Sequence, residues 1–156
     1  MPSGWRLKRQ TATCPFSLKI LPTRPFTNDA ALADRLAFLQ SDAHVAKIYY
    51  PGLPDFPGHA VAAKQTRGFG AMIAFELRAG LDVKKFVEHL QLIDLAESLG
   101  GIESLIEVPA VMTHGSIPRA VRLRDGISDE LIRLSVGIED AADIVADLKQ
   151  ALGRLD

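Results

Sequence analysis

From Asn28 to the C-terminus, hydrophobic positions follow two alternating periods. Leu32, Leu36 and Leu39 recur at helical spacing, and Asn28 or Thr27 supplies a capping side chain in front of them. His44–Tyr50 reads as a short strand, closed by Pro51-Gly52 and a proline-bearing loop. Residues 58–66 suit a short helix. Gly70–Leu77 is a continuous apolar run, the signature of a central strand. Asp82 then caps an amphipathic helix with Val83, Phe86, Val87 and Leu90 on its apolar stripe. Leu92–Leu99 and Leu131–Val136 are further strand candidates. Asp140 caps a last helix in which Ile144, Leu148 and Leu152 repeat every fourth residue. Short connections between such elements predict an α/β fold of the α+β sandwich type, with helices packed on one face of a mostly antiparallel sheet.

The first 25 residues break this order. They carry Arg6, Lys8, Arg9, Lys19 and Arg24 and no acid, while the remainder holds all 19 acids. With Pro2, Pro15 and Pro22 and no apolar period, residues 1–25 are expected to be a disordered basic lead. An organelle transit peptide and a misread gene start are the two alternatives. Residues 28–156 are then a single domain.

Composition narrows the function classes. A chain of 156 residues buries roughly two thirds of its unfolded surface in one core. Its 47% hydrophobic and 24% charged residues are ordinary globular values, and its net charge of −1 gives no reason to expect nucleic acid or an acidic membrane as partner. No uncharged run approaches the ~18 apolar residues of a bilayer span, so a soluble, cytoplasmic protein is expected. The single cysteine, Cys14, excludes an internal disulfide framework. It has no histidine nearby to activate it, and inert packing is its expected role.

Candidate chemistry concentrates in two blocks. The first is Asp94–His114, with Glu97-Ser98-Leu99-Gly100-Gly101 near its start and Pro109 and Thr113-His114 toward its end. The second is Leu131-Ile132-Arg133-Leu134-Ser135-Val136-Gly137. Arg133 is a lone cation in an apolar strand. A buried guanidinium is costly unless it meets a carboxylate, and its planar fork suits a carboxylate in two-point contact. Read from residues alone, Arg133 either pairs with Glu130 or Glu139 in a structural bridge or receives a ligand's carboxylate. Gly100-Gly101 is likewise either an ordinary turn or a place where backbone comes close to a ligand. His44, His59, His89 and His114 show no metal-ligand spacing. His114 is expected to be a hydrogen-bonded structural residue at the end of the loop that Pro109 stiffens.

The two blocks, in this order and spacing, resemble the Cys/Met-metabolism pyridoxal-phosphate-dependent enzymes, the family of cystathionine γ-lyase and cystathionine γ-synthase. The resemblance runs from about Asp42 to the C-terminus. It implies the small C-terminal domain of a fold-type I pyridoxal-phosphate enzyme of trans-sulfuration. It further implies that Arg133 binds the α-carboxylate of an amino-acid substrate, that Ser98 assists it, and that Glu97 lies near the substrate's distal end. An acid at Glu97 resembles the γ-lyases and γ-synthases and suits a distal ammonium. The implied substrates are cystathionine, cysteine or an O-acyl homoserine, and the implied assembly is a homo-oligomer. The family's Schiff-base lysine belongs to a Ser-x-Thr-Lys-Tyr motif upstream of these blocks. Lys8, Lys19, Lys47, Lys64, Lys84, Lys85 and Lys149 lack that setting, and no phosphate loop is legible. No catalytic or cofactor-binding residue is therefore assigned to this chain, and inactivity by itself is expected. Two other readings stay open: an inactive remnant that associates with full-length relatives, and an unrelated binding domain that reuses an arginine–carboxylate clamp.

Overall fold

The computed structural model describes residues 29–155. The expected caps at Thr27 and Asn28, the basic lead and Cys14 lie outside the described residues. The elements run α1 (Asp29–Ser41), β1 (Val45–Tyr49), α2 (His59–Gln65), β2 (Met72–Leu77), α3 (Val83–His89), β3 (Asp94–Leu95), β4 (Leu105–Glu107), α4 (Arg119–Arg124), β5 (Leu131–Ser135) and α5 (Ala141–Leu152). One five-stranded sheet has the order β1-β2-β5-β4-β3. The β1–β2, β2–β5 and β4–β5 pairs are antiparallel, and β3–β4 is parallel.

Strand alternation explains the layering. Ile73, Phe75 and Leu77 of β2, Ile106 of β4 and Ile132 and Leu134 of β5 share one face and are buried. They form one cluster with Leu32 and Leu39 of α1, Val83, Phe86 and Val87 of α3, and Ile144, Leu148, Ala151 and Leu152 of α5. Phe75 and Phe86 meet edge to face with ring centroids 6.3 Å apart. The helices therefore cover one face, as the apolar stripes predict. Both expected caps form: Asp82 accepts from the Lys85 amide at 3.0 Å and Asp140 from the Ala142 amide at 2.8 Å.

Four elements depart from the expectation. The core stripe of α1 passes through Leu32, Arg35 and Leu39, with Leu36 only half-buried. Burial lowers the pKa of Arg35, against the opposing pull of Glu139, Asp140 and Asp34, and its Nη2 donates to the Glu139 carbonyl at 2.8 Å. The strand expected over Leu92–Leu99 shrinks to Asp94–Leu95. The amides of Gln91, Leu92 and Ile93 donate instead to the carboxylate of Asp147 on α5, at 2.8, 2.9 and 2.9 Å. Finally, β4 and α4 occupy a stretch that had no strand or helix assigned.

Candidate functional site

Arg133 lies on the middle strand of the sheet and points to the face opposite the core helices, because Ile132 and Leu134 take the inward positions. Its cross-strand neighbours are Ala74 on β2 and Glu107 on β4. Arg133 Nη2 forms an ion pair with Glu107 Oε2, without the alignment of a hydrogen bond. The same nitrogen donates to the Glu97 carbonyl at 3.1 Å. Neither Glu130 nor Glu139 is the partner. Glu130 is an odd number of residues from Arg133 along an alternating strand, and Glu139 lies beyond its end. A cross-strand position brings Cβ atoms within about 5.5 Å, closer than either.

Glu107 is 1% exposed, and the Arg133 side chain is 30% exposed. The second oxygen of Glu107 accepts from the Thr113 hydroxyl. Thr113 Oγ1 lies 2.8 Å from His114 Nδ1. A threonine hydroxyl has one proton, and here it goes to Glu107. His114 must then donate from Nδ1 to the threonine oxygen, which assigns its tautomer. The His114 amide also donates to the Pro109 carbonyl at 2.9 Å, so both backbone and ring of this histidine are bonded inside the turn that follows β4.

The loop from Ala96 to Ser104 passes in front of this arrangement. Gly100 adopts φ +72°, which L side chains rarely take, and its amide donates to Ser135 Oγ at 2.8 Å. Ile138 N donates to the Ile102 carbonyl at 2.9 Å. Where these segments cross, a Cβ on Gly137 would collide with the backbone of Ile102 and Glu103. Ser104 fastens the far end of the loop to Glu139. The two sequence blocks are thus joined by contacts between Glu97 and Arg133, Gly100 and Ser135, and Ile102 and Ile138. Ser98 is exposed on this loop, and among the described residues its hydroxyl makes no hydrogen bond; the Glu97 side chain is exposed too.

Sequence reasoning missed Glu107, Ser135, Ser104 and Asp147 as organising residues. Ser135 carried a usable signal, since it sits two residues from Arg133 in an apolar strand and so shares its face; Glu107 is placed there only by sheet pairing. Asp147 interrupts the apolar stripe of α5 and is 5% exposed, a pattern that requires a set of donors.

A cavity of about 600 Å³ opens beside β1, lined in part by Leu39, Lys47, Tyr49, Leu53 and Phe56. It lies at the sheet edge and does not include Arg133. Lys47 rests 4.5 Å from the centre of the Tyr49 ring, and Lys84 pairs with Glu88 at 3.7 Å. The glycines at positive φ, 70, 80, 100 and 126, fall in four separate turns. Among the described residues no three His, Cys, Asp or Glu side chains gather as a metal-binding group, and no helix is long and apolar enough to cross a membrane.

Residues 18–153 match the model of the "Cys/Met metabolism PLP-dependent enzyme" family. The chain is 53% identical over 135 residues to a cystathionine β-lyase of Lactococcus lactis subsp. cremoris, covering 86% of the chain and 36% of that protein. It is 48% identical over 143 residues to a cystathionine γ-lyase of Bos taurus, covering 89% of the chain and 35% of that protein. Among solved structures, a cystathionine γ-lyase from Lactobacillus plantarum complexed with L-serine superposes with a TM-score of 0.78 at 55% identity, over 82% of this chain and 34% of that one. A cystathionine γ-synthase from Xanthomonas oryzae pv. oryzae in complex with cystathionine gives a TM-score of 0.76 at 47% identity, over 82% and 33%. The chain spans about a third of the length of the relatives it matches.

Proposed function

Because the chain belongs to the Cys/Met metabolism PLP-dependent enzyme family, we propose that it is the C-terminal, substrate-gripping part of a cystathionine γ-lyase- or γ-synthase-like enzyme. In this reading Arg133 binds the α-carboxylate of the amino-acid substrate. One observation carries it: both protein contacts of the guanidinium fall on Nη2. Among the described residues Nε and Nη1 donate to no protein acceptor, and the side chain is 30% exposed. A cation restrained at one nitrogen, with two further nitrogens engaged by no protein acceptor, keeps donors for a carboxylate, and such ordering lowers the entropic cost of binding.

Ser98, exposed one residue beyond the carbonyl that Arg133 holds, adds a hydroxyl to the same carboxylate. The exposed Glu97 carboxylate attracts a distal ammonium, which suits cystathionine or cysteine more than an O-acyl homoserine. Pyridoxal phosphate, when bound, withdraws electrons from the bonds at the substrate's α-carbon. The glycines at positive φ among the described residues fall in separate turns rather than in one phosphate-binding loop. We place its lysine and its cradle outside this chain, so the chain alone is inactive and no reaction step is assigned to it.

The test is a chimaera in which residues 42–156 replace the matching third of the Lactobacillus plantarum enzyme. Arg133→Leu should lower kcat/KM for cystathionine by about 30- to several-thousand-fold, or roughly 2–5 kcal/mol, with the cofactor still bound. Arg133→Lys should recover part of it, since an ammonium does not reproduce the fork. Unchanged kinetics for Arg133→Leu would leave a structural arginine in its place.

A further inference from the structure

We infer that Glu107 is a positioning residue for Arg133: it holds the guanidinium still, so that Nε and Nη1, which donate to no protein acceptor among the described residues, stay available to a substrate carboxylate. The inference rests on the carboxylate-binding reading of Arg133. It starts from burial. Glu107 is 1% exposed on a three-residue strand that ends against Pro109, a costly place for a carboxylate unless its charge is needed there. Packing alone would be better served by an apolar residue, because replacing a buried ion pair with hydrophobic groups is often neutral or stabilising.

Each oxygen of this carboxylate has a distinct task. Oε2 faces Arg133 Nη2, directly across the β4–β5 ladder. Oε1 takes the proton of Thr113, whose own oxygen receives His114 Nδ1 at 2.8 Å. The carboxylate is therefore held from behind, and it has no freedom to follow the arginine if the arginine swings. The Glu97 carbonyl, 3.1 Å from the same Nη2, supplies a second point of restraint from the loop that carries Ser98. The ion pair with Glu107 and the hydrogen bond to the Glu97 carbonyl together restrain the plane of the guanidinium and engage neither Nε nor Nη1. With glutamine in place of Glu107, one acceptor oxygen is left for Thr113 and Arg133 together, and a guanidinium held by the Glu97 carbonyl alone rotates about its Nε–Cζ bond.

This is read directly by nitrogen NMR of the 156-residue chain labelled at arginine. A held guanidinium gives separate Nη1 and Nη2 signals for Arg133, assigned by their loss in Arg133→Lys. In Glu107→Gln, which keeps the shape of the side chain, the two signals should merge while the backbone spectrum stays folded. Glu107→Asp, with the charge but a shorter reach, should restore part of the separation. A mere packing role predicts the reverse: Glu107→Gln and wild type alike. Signals that stay separate in Glu107→Gln, or that are already merged in wild type, overturn the inference. If Glu107→Gln fails to fold, Thr113→Val decides: narrowing of the separation supports the role, and unchanged signals overturn it. Adding L-cystathionine to the wild-type sample keeps the two ideas apart. Arg133 signals that ignore it count against the carboxylate grip, whatever Glu107 does to the rotation.

Discussion

Ser104 gives both of its donors to the carboxylate of Glu139: its amide reaches Oε1 at 2.6 Å and its hydroxyl reaches Oε2 at 2.8 Å. The same hydroxyl oxygen accepts from the buried Gly137 amide at 2.9 Å. The Glu139 carbonyl receives Arg35 from α1. One residue pair therefore joins the end of the Ala96–Ser104 loop, the end of β5 and the first helix. Ser104→Ala leaves the Gly137 amide buried with no hydroxyl to accept it. It should cost about 1–3 kcal/mol, and Glu139→Ala a comparable or larger amount. Urea unfolding should show a lower midpoint at unchanged slope for both.

Asp147 predicts a larger effect, because its two oxygens serve the backbone amides of Gln91, Leu92 and Ile93. These bonds end α3 and set where β3 begins. Asp147→Ala should destabilise by roughly 2–4 kcal/mol, since several donors lose a charged acceptor together. Asp147→Asn should fall between, because an amide accepts at one atom only and turns a donor toward the remaining N–H groups. Thermal unfolding of the three forms checks the order.

Stability should also decline in acid through Asp129. Hydrogen bonds from Arg122 at 2.8 Å and Arg119 at 2.6 Å hold its carboxyl below the usual aspartate range. A depressed folded-state pKa contributes stability that is complete above the unfolded value of ~3.9 and is lost as pH falls through the folded value. The Asp129 side chain is 37% exposed, so solvent screens the contribution and the expected change is small. Unfolding midpoints measured from about pH 5 downward should drop less steeply for Asp129→Asn than for wild type.

Selectivity should move with Glu97 while the carboxylate grip stays in place. In the chimaera, Glu97→Gln should lower kcat/KM for cystathionine by roughly 5- to 30-fold, about 1–2 kcal/mol, relative to an O-acyl homoserine with no distal ammonium. Equal losses on both substrates would place Glu97 in loop structure, where its carbonyl already serves Arg133.

The residues alone determined the helices with a cap and a full apolar stripe. Asp82 before Val83, Phe86 and Val87, and Asp140 before Ile144, Leu148 and Leu152, combine a local hydrogen bond with a period that has one burial solution. They also determined the long apolar strands β2 and β5 and, through the two blocks, the family. Tertiary structure decided what depends on partners distant in sequence. Leu92–Ile93 could not show that Asp147, more than fifty residues on, would take their amides from the sheet. Leu105–Glu107 is too short to declare itself a strand, and only pairing with β5 makes it one. Arg133 has Glu130 near it along the chain and Glu107 beside it in space. Strand alternation turns the first away, and sheet register supplies the second.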